Sequence, residues 1–308
     1  MNSSEPSSHE LRSSPGQQAR PRASAWILAA PLLVTLAGAV LFFWPRLVAG
    51  RDLSIEQARE RIGLSFASST DRDVFEVQSS QAVEAIQQIA RRARDGDAKF
   101  AELLDELPKL TGASNIYVRR AAAQAMGEAP RREGFVQALL PLLSDQDLLL
   151  RRLAAESLGA LEDPRGREVL LRAMEPHVVQ APFAGRMIAG VELGMRVSRT
   201  GQLAFIETEG VGRRPVKAPI TGYVDWIHDT GTPVAEGERV AVLLPGRDQI
   251  WRALRALYLV GQPHDVERIR KAIDDRSGLG RDVLSQKTET LEMIEERGRR
   301  GVSTGEVR

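Results

Sequence analysis

Four histidines, His9, His177, His228 and His264, are the imidazoles available to this chain of 308 residues, and no cysteine joins them. Thiol nucleophiles, disulfides and thiolate metal sites are therefore excluded. Metal or proton chemistry would have to be built from His with Asp and Glu. These types crowd together at "DWIHD", Asp225 to Asp229. In an alternating strand, Asp225 and Asp229 share one face and His228 points the other way, so the segment reads as exposed strand polarity. His264, after Gln262-Pro263, reads as a helix-start residue. There is no H-E-x-x-H, no P-loop and no G-x-S-x-G. The expectation is a protein without catalytic residues and without a metal site, not an enzyme.

A second possibility lies in a duplicated segment. "VQAPFAGRMIAGVELGMRVSRTGQLAFI" returns 37 residues later as "VKAPITGYVDWIHDTGTPVAEGERVAVLL". Ala181-Pro182 matches Ala218-Pro219, Gly185 matches Gly222, Gly194 matches Gly231 and Val197 matches Val234, with a one-residue slip at Gly201 against Gly237. Proline starts edge strands, and the later glycines supply the positive φ of tight turns. From Val178 to Gly246 the texture is that of short strands, read as two similar half-sheets about a pseudo-twofold.

The repeated A-P-x-x-G unit resembles the biotinyl/lipoyl-type barrel-sandwich hybrid across this whole segment. "IETEG" (Ile206 to Gly210) is similar to the hairpin of lipoyl carriers, and "VKAP" (Val216 to Pro219) to the stretch after the hairpin in biotin carriers. The resemblance implies that a carrier needs a lysine at the hairpin tip. That position is Gly210 aligned from the left and Val211 aligned from the right; Lys217, the lysine of the segment, falls in the following strand. The expectation is a degenerate carrier position and no cofactor. The segment also resembles the barrel of membrane-fusion (periplasmic-adaptor) proteins, although "ETEGVGRRP" leaves no room for their helical hairpin.

The flanking segments are helical. Ser54 caps "SIEQARERIG" with Gln57 as third helical residue and Gly63 as stop. Val83, Ile86, Ile89 and Ala90 repeat at helical spacing before Gly96. "YVRRAAAQAMGEA" (Tyr117 to Ala129) returns as "LLRRLAAESLGAL" (Leu149 to Leu161), and each copy precedes a second amphipathic helix. A period in the thirties with two helices per unit marks an α-solenoid. The copies resemble the short bacterial form of HEAT repeats, which implies a protein-binding or packing scaffold. A looser copy, Ile250 to Asp275, follows the β segment. "TETLEMIEERGRR" near the C-terminus reads as a solvated amphipathic helix.

Residues 25–44, "AWILAAPLLVTLAGAVLFFW", carry no charge and are long enough to cross a bilayer as a helix. Trp26 and Trp44 flank them. This reads as an uncleaved anchor rather than a cleaved signal peptide or a buried helix. Arginines on both sides nearly balance; those just before the span favour a globular part outside the cytoplasm.

With 42 basic and 41 acidic residues the formal net charge is +1, which argues against a nucleic-acid partner. The expected class is α+β: a tail (1–24), a transmembrane helix (25–45), a helical linker region (46–114), HEAT-like repeats (115–177), a biotinyl/lipoyl-like barrel-sandwich domain (178–246), a C-terminal helical region (247–299) and a tail (300–308). The expected function is a non-enzymatic scaffold of the bacterial inner membrane that binds protein partners, in a transporter or envelope complex, and that can oligomerise. The alternatives are a membrane-fusion-type adaptor of an export complex and, disfavoured by the missing lysine, an acyl-carrier subunit.

Overall fold

A computed structural model describes residues 52–63 and 72–305. The first helix, α1 (Ile55–Gly63), opens on a reciprocal cap: the Ser54 amide donates to Gln57 Oε1 at 3.0 Å and the Gln57 amide to Ser54 Oγ at 3.2 Å. Next come α2 (Arg72–Arg94), the short α3 (Ala98–Glu102) and a 3₁₀ segment, Leu103–Gly112. The repeated sentences become α4 (Ile116–Glu128), followed by α5 (Phe135–Leu139), and α6 (Leu148–Ala160), followed by α7 (Arg167–Met174). Beyond the β segment lie α8 (Arg247–Val260), α9 (Val266–Ile273) and α10 (Arg281–Gly305).

These helices stack in two layers. One runs α2, α4, α6, α8, α10, each packed on the next; the 3₁₀ segment, α5, α7 and α9 back it. Missing side chains let the ladder close up. A Cβ on Gly127 would lie 2.5 Å from Ser157 Oγ, and one on Gly159 would lie 2.7 Å from Ala256 Cβ. The α4–α6 contact is thus repeated between α6 and α8, although a β segment intervenes in the chain. The α8–α9 pair packs on α6 and α7 as the next pair of helices. Helix α10 is not wholly solvated: Leu291 and Ile294 are buried, and buried Thr290 donates to Leu254 O of α8 at 3.1 Å.

The β segment forms eight strands: β1 (His177–Gln180), β2 (Gly185–Ala189), β3 (Arg196–Val197), β4 (Gln202–Thr208), β5 (Gly212–Lys217), β6 (Gly222–Ile227), β7 (Pro233–Val234) and β8 (Arg239–Pro245). A shift of 37 carries the first four onto the last four. The two antiparallel sheets, β1-β8-β6-β3 and β5-β4-β2-β7, exchange under the same operation. Matching hydrogen bonds repeat as well: Gly194 N to Val224 O and Gly231 N to Met187 O are both 2.7 Å. Each sheet draws strands from both copies, so the copies interleave and are not one half-sheet each. The slip at Gly201 disappears too. Thr200, at φ 66°, is the counterpart of Gly237, at φ 80°.

Three sequence expectations are corrected. The β segment is not a closed barrel: β1, β3, β5 and β7 are each paired on one side, and β3 and β7 are two residues long, too short to join the sheets. The fold is helical with two small antiparallel sheets. The expected transmembrane helix, Ala25 to Trp44, lies outside the described residues. Among the described residues no helix is long and apolar enough to cross a membrane, since the longest, α2 and α10, are rich in charge. A single-pass inner-membrane location is therefore not supported.

Candidate functional site

The residues singled out in the sequence do not converge on one centre. Gly210 (φ 73°) and Val211, 63% exposed, form the tip of the β4–β5 hairpin, stapled below by a 3.0 Å ion pair between Arg213 and Glu207. Lys217 is exposed at the far end of β5, opposite Gln202. Strand β6 ends at Ile227 after a register shift between Val224 and Trp226, so His228 and Asp229 lie beyond it, outside the expected alternation. The His228 ring packs edge-on against Trp226 at 4.6 Å. His264 sits in the 3₁₀ turn Pro263–Asp265, with Nε2 2.6 Å from Arg167 Nη2. Burial, with Arg151 nearby, lowers the pKa of His177. Among the described residues, no three His, Asp or Glu side chains group as metal ligands would.

Charge is instead organised along the repeats. Asp147 caps α6 by accepting from the Leu150 amide at 2.7 Å. The same carboxylate takes both arms of Arg120 from α4, with Nε at 3.0 Å from Oδ1, and Arg199 of the β segment at 2.5 Å. Burial alone would raise its pKa, but the bonds from Arg120, Leu150 and Arg199 prevail and hold it at about 2. One side chain thus ties α4, α6 and the sheets together.

The next rung differs. Arg152 occupies in α6 the place of Arg120 in α4, but the residue before α8, equivalent to Asp147, is Gly246. Lacking that carboxylate, Arg152 turns to Glu156 on its own helix. Burial pushes the Glu156 carboxyl up, against the pull of Arg152 and Arg252.

Around this rung the surface is hollow. One cavity of about 490 Å³ lies between α6, the start of α8 and the β segment, where Arg196 and Tyr223 reach it. A second, of about 510 Å³, continues between α4, α6 and α8 to Trp251 and Leu259. Both are lined by Gln124, Leu153 and Arg252, so they form one groove. Six arginines line it (Arg94, Arg152, Arg196, Arg247, Arg252 and Arg255) against three carboxylates (Glu128, Glu156 and Asp248). Arg247 pairs with Asp282 at 2.6 Å. Among the described residues, no carboxylate lies within ion-pair distance of Arg94, Arg196, Arg252 or Arg255, and all four are exposed.

Residues 101–181 match the family model of HEAT repeats. The match runs from the end of α3 through the 3₁₀ segment and α4 to α7 into β1, and so includes the helices that carry the Arg120–Asp147 rung and one side of the groove. Repeats of this kind are consistent with protein–protein interaction; the match supports HEAT character and does not extend to the lipoyl-like resemblance or to α8 and α9. No curated protein matches the chain.

Sequence reading found the repeated arginines but not the groove. The signal was present: aligning the helix after the β segment with its predecessors puts Gly246 where Asp147 stands, and this predicts an arginine without its rung partner.

Proposed function

We propose that this chain is a non-enzymatic scaffold whose HEAT helices hold a partner protein in the groove along α6, between α4 and α8. The carrying observation is the groove itself: exposed arginines and large apolar side chains face one continuous hollow on the packed helical layer. Loops vary easily, whereas a surface on packed helices presents fixed geometry at low entropic cost. The β segment flanks one end of the groove with Arg196 and Tyr223 and acts as a docking wall without a cofactor. A carrier would need an amine at the hairpin tip, and Gly210 and Val211 offer none.

A photo-crosslinking residue at Tyr223 or at Leu259 is expected to capture the same partner, while one at Asp105, on the other layer, does not. If the groove positions give no common partner, or Asp105 gives the same one, the assignment of the groove fails. The intact mass of the purified chain is expected to equal that of the unmodified polypeptide.

A further inference from the structure

We propose that the groove is selective for an acidic segment of its partner, one that alternates carboxylates with large apolar side chains. This rests on the scaffold reading and adds the chemistry of the partner. Four guanidiniums, Arg94, Arg196, Arg252 and Arg255, approach one hollow from α2, β3 and α8, and none is within ion-pair distance of a carboxylate among the described residues, although Glu156 lies close enough to Arg252 to feel its charge. Like charges gathered this way repel, and a ligand that brings carboxylates relieves the repulsion while gaining charge-assisted hydrogen bonds. Arg152, with Gly246 standing where a rung partner would be, is paired with Glu156 on its own helix and leaves these four, among the described residues, as the unpaired cations of the hollow.

Apolar side chains sit between the charges. Tyr223 and Leu259 are each 41% exposed, and Trp251 and Leu153 line the floor between them. A peptide that offers both kinds of side chain matches this lining. A nucleic acid fits less well: the ring face of Trp251 is already covered by Arg255 at 4.9 Å, leaving few rings on which bases could stack.

The test uses the purified chain and fluorescence anisotropy with three labelled probes: a Glu/Leu peptide, the same peptide with Gln for Glu, and a single-stranded oligonucleotide. The Glu/Leu peptide is expected to bind at least about tenfold tighter than the Gln/Leu one at low salt, with the gap narrowing toward about 0.3 M salt. R252E/R255E should weaken Glu/Leu binding by about tenfold or more. R131E/R299E, an equal charge change outside the groove, should leave it unaltered. R94E/R196E provides an independent pair should the first fail to fold, as judged by circular dichroism.

Equal affinity for the two peptides overturns the acidic preference but leaves the crosslinking result, and with it the scaffold reading, standing. Tighter binding of the oligonucleotide, or an equal loss in R131E/R299E, overturns the inference as well. Absence of a common groove crosslink would instead remove the scaffold reading beneath it.

Discussion

At the scale of single residues, Asp147 illustrates how one carboxylate can hold three elements. Its side chain is 17% exposed, and it meets Arg120, Arg199 and the amide that opens α6. Because its folded pKa is depressed to about 2, its contribution is fully present above the ordinary carboxylate range. It is lost as pH falls from about 5 toward about 2. Asp147→Asn keeps the cap oxygen but leaves Arg120 and Arg199 without an anion, at a cost of about 2–3 kcal/mol near neutral pH. Chemical denaturation across the acid range checks this: the gap between wild type and variant should shrink by about 2 kcal/mol on acidification. A gap that stays constant would mean that Asp147 acts by shape alone.

At the scale of elements, the β segment shows what a repeat can and cannot reveal. Strand positions were legible because proline, glycine and aliphatic residues recur at one offset. The interleaving was not, since sheet order depends on pairings between distant strands, such as β1 with β8, that local pattern does not encode. The slip at Gly201 follows from pairing glycine with glycine, whereas the matching positive φ of the first copy falls on Thr200. Thr200 instead adopts φ 66°, while its amide keeps a 2.7 Å bond to Ala218 O that mirrors Gly237 N to Ala181 O at 2.8 Å. A β-branched residue is strained there, so Thr200→Gly should raise stability by about 1 kcal/mol, visible as a higher midpoint in thermal or urea unfolding. A lower midpoint would show that the Thr200 side chain contributes more than its backbone costs. By contrast, Gly222 cannot be replaced cheaply: a Cβ there would lie 2.1 Å from Leu244 O. The helical repeats were legible in the same way and for a related reason: their small residues, Gly127 and Gly159, recur where one helix must touch the next. The groove was hidden because it depends on α8 stacking against α6 across an excursion of the chain.

At the scale of the molecule, that excursion is the organising feature. The β segment leaves the solenoid after α7 and returns at α8, and its first and last strands pair, with His177 opposite Leu243. Entry and exit are therefore one strand spacing apart, which is why the helical ladder continues as though uninterrupted. Contacts that still couple the parts include Arg199 on Asp147, Leu148 at the start of α6 packed against the core between the sheets, and Arg276 donating to Pro245 O of β8 at 2.7 Å. Replacing Val178–Val242 by a linker of about two or three residues spans the remaining gap without stretching the chain. The helical circular-dichroism signal should survive, with a lower melting temperature because Asp147 loses one of its two arginines. Affinity for the Glu/Leu peptide should fall, since Arg196 and Tyr223 leave with the sheets, yet remain above that of R252E/R255E because Arg94, Arg252 and Arg255 stay. Loss of the helical signal would show the sheets to be an integral part of the solenoid's stability, and unchanged peptide affinity would confine recognition to the helices.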